Sequence, residues 1–293
     1  MFPGLLWLPM LFAAGQAAAP PPVSSSLRVV VLEKEDLDPA SWRAIAALGA
    51  NVVAALQPPS IAVDKLAASV GLNYIALLTT DQIEVLARDP GGIAAIRSQQ
   101  NLAGFAYWDE NVDEGFTTPE TQQRAYATLK ELFPGKLVLI PVRLAPIAFS
   151  PDFLDKYFRP AFTDLVTPYF YPVGTTILGE AREEDPWSER LAALLAAVAA
   201  RVPEGKGVLP VLQGYEQPGY PVGARFPAAQ LMVYRRFWPD VSNAALEAWE
   251  FPDPAPIIGF VSLPRLQAGV CSMFAGLAGH PARCRKRSPL PWR

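Results

Sequence analysis

Short apolar runs that stop abruptly on polar or aromatic residues recur along this chain, with helix-like segments between them, and this alternation limits the fold more than any other feature. The runs are residues 27–32, 51–56, 73–78, 102–111 (apolar up to Asp109 and Glu110), 137–142, 164–171, 207–213 and 243–251. Most are rich in Val, Ile and Leu and apolar on consecutive positions, as strands buried on both faces are. The segments between them carry helix punctuation. Asp38-Pro39 opens one and Gly49 closes it, Thr79-Thr80-Asp81 caps another, and Thr118-Pro119-Glu120 places Pro and an acid in a first turn. Trp187 to Arg201 is Ala- and Leu-rich, but it is short and follows charged residues, so it reads as a packed outer helix.

Strand and helix alternating in this way belong to an α/β fold with a parallel sheet. A doubly wound sheet would give the same alternation. The count of eight runs over residues 27–253 favours a single-domain (β/α)8 TIM barrel. No G-x-G-x-x-G or G-x-x-x-x-G-K-[ST] signal supports a nucleotide-binding alternative, and Gly91-Gly92 is an isolated pair of the kind found in turns.

The two ends differ from this body. Residues 4–14 are almost wholly apolar and precede Ala17-Ala18-Ala19, a small-residue cleavage pattern, so residues 1–19 are expected to be a signal peptide and 20–26 a Pro- and Ser-rich linker. A buried N-terminal helix is the competing reading. Export would place the protein outside the cytoplasm, secreted or periplasmic, where Cys271 and Cys284 could form a disulfide. Residues 254–293 carry six basic groups and no acid, and are expected to form an irregular tail. Pro264 and Arg265 interrupt its apolar part, leaving less than the ~20 residues of a membrane span.

Composition removes several function classes. The tail's basic groups leave 19 basic against 28 acidic residues in the body, a poor match for nucleic acid. The single histidine, His280, lies in the tail. A body without imidazole excludes a Ser-His-Asp triad, a Cys-His pair or a His-ligated zinc site there. Carboxylates, Tyr, Lys or Arg must do any chemistry, and no metal or cofactor is expected.

In barrels of this kind active sites lie where strands end. The residues at those positions are Glu33 and Lys34, Gln57, Thr79 to Asp81, Trp108, Asp109 and Glu110, Arg143, Tyr169 and Tyr171, Gln213 with Tyr215 and Glu216, and Trp249 with Glu250. Acids and amides suit sugar hydroxyls and aromatic faces suit pyranose rings; ordinary loop positions would account for some of them.

Three segments carry a resemblance to a known group: Gly104-Phe-Ala-Tyr-Trp-Asp-Glu110, Gln213-Gly-Tyr-Glu216 and Ala248-Trp-Glu-Phe251. Together they resemble the TIM-barrel glycoside hydrolases, whose largest clan has its acid/base Glu at the end of strand four and its nucleophile Glu at the end of strand seven. The resemblance implies Glu110 as acid/base, Glu216 as nucleophile and Trp249 on the sugar-binding floor. Trp108, Tyr169, Tyr171, Gln213, Tyr215, Glu33 and Arg143 complete the candidate substrate contacts. The chain departs from the clan where Asp109 stands in place of the usual Asn, which leaves Asp109 as an alternative acid, and where no matching Arg follows strand two.

Glycoside cleavage needs one carboxyl group protonated and one ionised. Asp109 and the Tyr107-Trp108 pair offer a means of tuning Glu110, since a neighbouring carboxylate and aromatic burial both raise a carboxyl pKa. The expectation is therefore a secreted glycoside hydrolase-like protein acting on a carbohydrate. The alternative is a non-catalytic barrel that binds glycans or a surface partner.

Overall fold

The computed structural model describes residues 26–32, 39–107, 118–150, 152–176, 178–248, 258–259 and 263–279. Eight parallel strands close into a barrel. In ring order they are β1 (Arg28–Leu32), β2 (Val52–Ala55), β3 (Asn73–Leu78), β4 (Leu102–Tyr107), β5 (Leu137–Arg143), β6 (Val166–Tyr169), β9 (Val211–Gln213) and β11 (Ala244–Glu247), which pairs back onto β1; between β6 and β9 the short β7 (Gly174–Thr176) and β8 (Gly179–Ala181) form a separate antiparallel pair. Register runs Val30 to Val53 on one side of β1 and Val30 to Leu246 on the other. The expected (β/α)8 barrel is therefore present.

Alternation along each strand explains why the runs look continuously apolar. Val29 and Val31 of β1 point into the barrel with Ala54, Ile75, Leu77, Ala106, Leu139, Val211 and Ala245. Val30 and Leu32 point outward with Val53, Tyr74, Leu78, Phe105 and Val138, where the helices cover them. Both faces are buried, so the strands are mostly apolar on consecutive positions, with the buried polar residues Thr167, Gln213 and Glu247 confined to β6, β9 and β11.

The covering helices are α1 (Pro39–Ala47), α2 (Ile61–Val70), α3 (Thr80–Ala87), α4 (Pro90–Arg97), α5 (Pro119–Leu132), α6 (Phe153–Tyr157), α7 (Trp187–Ala199), α8 (Phe226–Arg235) and α9 (Pro264–Leu277). Local chemistry sets their ends. Thr79 makes a reciprocal capping box with Gln82, so the Thr79 to Asp81 segment is explained as a helix start. Gly71 closes α2 at φ +70°, a conformation costly for a residue with a Cβ. Asp89 caps α4 with Pro90 at its first position, dividing into two helices a region that reads as one in the sequence.

Two departures from the sequence reading are larger. Strand seven is expected over residues 207–213, yet its continuous part is only Val211–Gln213, with an isolated bridge from Val208 to Val166. Pro210 has no amide to donate to a ladder. The second departure corrects the irregular tail: Pro264–Leu277 is a helix packed on the barrel. Pro264 begins it, consistent with the preference of Pro for a first turn. Leu266, Val270, Met273 and Phe274 recur at helical spacing and are buried. Gly269 lies so close to the Ala224 carbonyl that a Cβ would collide with it.

Cys271 on α9 is disulfide-bonded, while Cys284 lies outside the described residues. Among the described residues, no helix is long and apolar enough to cross a membrane.

Candidate functional site

The carboxyl ends of β6, β9 and β11 bring together several of the expected residues. Tyr169 ends β6 and Tyr171 follows it, their ring centroids 5.8 Å apart. Tyr171 in turn meets Tyr215, beyond β9, edge to face at 5.3 Å and 73°. This is a favourable aromatic geometry. The Tyr171 hydroxyl donates to Oε2 of Glu247, the last residue of β11, at 3.3 Å.

Glu247 is 1% exposed and lines a cavity of about 30 Å³, room for about one water molecule. Tyr169, Tyr171 and Thr167 share its upper wall. Below them the lining is aliphatic and includes Val31, Ala54, Leu77, Ala106 and Ala245. Barrel interiors of this class are usually filled by layers of bulky side chains. Here three inward positions are alanines, which leaves space beneath the mouth.

Gln213, expected to touch substrate, is fully buried and bonded on every side. Its Oε1 accepts from the Val173 amide at 3.1 Å, and its Nε2 donates to the carbonyls of Val173 and Tyr215 at 2.8 and 3.2 Å. Gln230 of α8 holds the Gln213 backbone through both amide atoms. Gln213 therefore fixes the loop after β6 against β9, and so sets where Tyr171 and Tyr215 stand. Tyr234 braces the same strands from behind, donating to the Pro168 carbonyl at 3.1 Å. Complete burial pushes its phenol pKa far up, so it stays a donor.

Glu216 lies outside the barrel. It belongs to β10 (Tyr215–Glu216), which pairs antiparallel with β12 (Ile258–Gly259). Its Oε1 accepts from the Val222 amide at 2.9 Å and from Nη2 of Arg265 on α9. The side chain is 11% exposed and Arg265 49% exposed. A carboxylate held by a guanidinium and a backbone amide is a strong anchoring contact. It joins the post-β9 segment to α9.

Other expected residues are dispersed. Arg143 ends β5 in register with Tyr169 and is half-buried, but it does not line the cavity. Gln57 is half-buried just beyond β2. Tyr107 ends β4 facing the helices, its hydroxyl 2.7 Å from Thr80 Oγ1. Glu33, Lys34, Trp108, Asp109, Glu110, Trp249 and Glu250 lie outside the described residues. Among the described residues, no three His, Cys, Asp or Glu side chains gather as a metal site would require.

The sequence reading missed Glu247, although a signal for it was present. Glu247 is two positions beyond Ala245, so strand alternation puts both on the inner face. An acid there, at the end of a strand, lies at the barrel mouth.

Solved structures share this fold. A GH5_18 protein from Streptomyces cattleya, in complex with GlcNAc, aligns with TM-score 0.57 and 16% identity over 88% of this chain and 82% of its own. The β-D-glucuronidase of Dictyoglomus thermophilum aligns at 0.54 and 10% identity, over 88% and 51%. The β-glucuronidase of Bacteroides uniformis aligns at 0.50 and 12%, over 77% and 31%, so this chain spans about a third of that protein's length. No family model matches the sequence, and no curated protein matches it. What these solved structures share with this chain is the (β/α)8 barrel fold.

Proposed function

We propose that this chain is a secreted, carbohydrate-directed barrel that binds a glycoside at its carboxyl-terminal mouth and cleaves it with paired carboxylates, without metal or cofactor. The observation that carries the reading is the grouping of Tyr169, Tyr171 and Glu247 at the carboxyl ends of β6 and β11, with Tyr215 packed edge to face on Tyr171. Flat aromatic groups beside a carboxylate suit a ring that has both CH faces and hydroxyls. Glu110, beyond β4, is assigned the general acid, with Asp109 beside it. Glu247 is the proposed ionised partner, because Glu216 is engaged by Arg265 and Val222. Ring order supports this pairing: β4 and β11 are four strands apart in an eight-strand barrel, hence on opposite sides of the axis. Export is supported by the apolar N-terminal stretch and by the disulfide at Cys271.

Turnover of a panel of aryl glycosides tests this. The protein should hydrolyse at least one neutral glycoside, and Glu110→Gln should reduce turnover about a hundredfold or more. A second reading has its own observation. The strand-seven end offers an amide, Gln213, whose polar atoms are all committed, so the barrel could hold a glycan without cleaving it. Sugar binding with no turnover across the panel would establish that reading.

A further inference from the structure

The two ends of the barrel carry opposite charge. At the amino-terminal end, basic side chains reach backbone carbonyls instead of carboxylates. Arg28, at the start of β1, donates through Nε to the Gly49 carbonyl at 2.6 Å, and Arg97, at the end of α4, to that of Leu132 at 2.9 Å. Lys136, just before β5, donates to the Leu102 carbonyl at 2.6 Å, and Lys206, ahead of β9, to that of Thr163. Arg235, in the last turn of α8, donates to the Val241 carbonyl. Among the described residues none of these forms an ion pair, so the carbonyls fix the side chains without cancelling their charge. Asp164, an acid of the same end, is taken by Lys130 at 3.0 Å.

The tail leaves from this end too. Ser26, which precedes β1, donates from Oγ to the Leu277 carbonyl at the end of α9, at 3.1 Å. Beyond α9, residues 280–293 contain Arg283, Arg285, Lys286, Arg287 and Arg293 and no acid. Cys271 of α9 is disulfide-bonded, and the one other cysteine, Cys284, lies within that basic run, so a bond between them ties the run to α9.

The mouth has the reverse sign. Between β8 and α7 stand Glu183, Glu184 and Asp185 against Arg182, and the segment after β4 holds Asp109, Glu110, Asp113 and Glu114. A flat anionic surface attracts the first end and repels the second, so docking there leaves the mouth open to solvent. Leu290 and Trp292, beside the basic run, suit the headgroup layer of a bilayer better than a soluble polyanion.

We propose that the amino-terminal end of the barrel, together with residues 280–293, is a docking surface for an anionic lipid bilayer. The proposal is independent of the carbohydrate reading.

Flotation of the full chain with vesicles provides the test, using phosphatidylcholine alone against phosphatidylcholine with about one-third phosphatidylglycerol. At low salt the anionic vesicles should bind about tenfold tighter or more, and the difference should fade at ~0.5 M salt. Arg285→Ala combined with Lys286→Ala and Arg287→Ala should weaken anionic binding about tenfold or more. Arg97 and Arg236 are exposed at the ends of α4 and α8, so charge reversal there leaves the fold intact. Arg97→Glu combined with Arg236→Glu should weaken anionic binding by about the same factor.

Equal binding to the two kinds of vesicle overturns the proposal, as does anionic binding unchanged in either set of variants. Tighter binding to poly-glutamate than to the anionic vesicles at matched charge would make a soluble polyanion the partner and overturn it as well.

Discussion

Glu216 and Glu247 are each the last residue of a short strand, β10 and β11, yet the fold uses them in opposite ways. Glu216 is held by Arg265 and the Val222 amide on the outside, where it secures α9. Glu247 projects from the inner face of β11 into a cavity, with the Tyr171 hydroxyl beside it. The first carboxylate makes an attachment between elements, and the second is the one proposed above for ligand contact. Proximity to a strand end is therefore insufficient to mark a ligand site; the face of the strand decides.

This contrast predicts distinct responses to substitution. The largest effect should come from the α9 contact. Gly269→Val places a side chain against the Ala224 carbonyl and should cost about 3 kcal/mol or more in urea unfolding. Next, Arg265→Ala leaves the shielded Glu216 carboxylate with only the Val222 amide. A loss of about 1–2 kcal/mol is expected, reduced from the full buried-pair value because Arg265 is half exposed. A loss near zero would remove the anchoring role from Glu216.

At the other glutamate the sign should reverse. Glu247→Leu replaces a carboxylate with a side chain that matches the aliphatic lining, and stability should rise by about 1 kcal/mol while sugar binding falls. A destabilisation of similar size to that of Arg265→Ala would make the two glutamates structurally alike and erase the comparison.

The smallest effect serves as a control on the outer surface. Arg201 donates to Asp155 at 2.7 Å, and that hydrogen bond holds the Asp155 pKa below its ordinary value. A depressed carboxyl pKa contributes stability above the unfolded value, and that contribution disappears as pH falls through the folded one. Asp155→Asn should therefore change stability slightly at neutral pH and not at all in strong acid, as thermal melts across pH would record.

Much of the barrel was legible in the sequence because its strands are apolar on both faces, so Leu27 to Leu32 or Leu137 to Val142 stand out as continuous runs. The grouping of Tyr169, Tyr171 and Tyr215 was legible because each stands at or just past a strand end. Glu247 does not stand out because residues 243–251 look like one uninterrupted strand with the acid in its middle, whereas the folded strand ends at Glu247. Helix α9 is hard to see in the sequence because Pro264 interrupts an apolar stretch, and only the fold shows it occupying a first turn. The role of Gln213 depends on Val173, forty residues earlier in the chain. No spacing rule reveals such a pairing before the chain is folded.

The central claim is that Glu247, and not Glu216, is the carboxylate this barrel presents to its ligand. Sugar affinity measured by calorimetry on the folded Glu247→Gln and Glu216→Gln proteins tests it most directly. Glu247→Gln should lose about tenfold or more in affinity, and Glu216→Gln should stay within about twofold of the unmodified protein while unfolding at lower urea. Unchanged affinity in Glu247→Gln, with the loss in Glu216→Gln instead, would contradict the account.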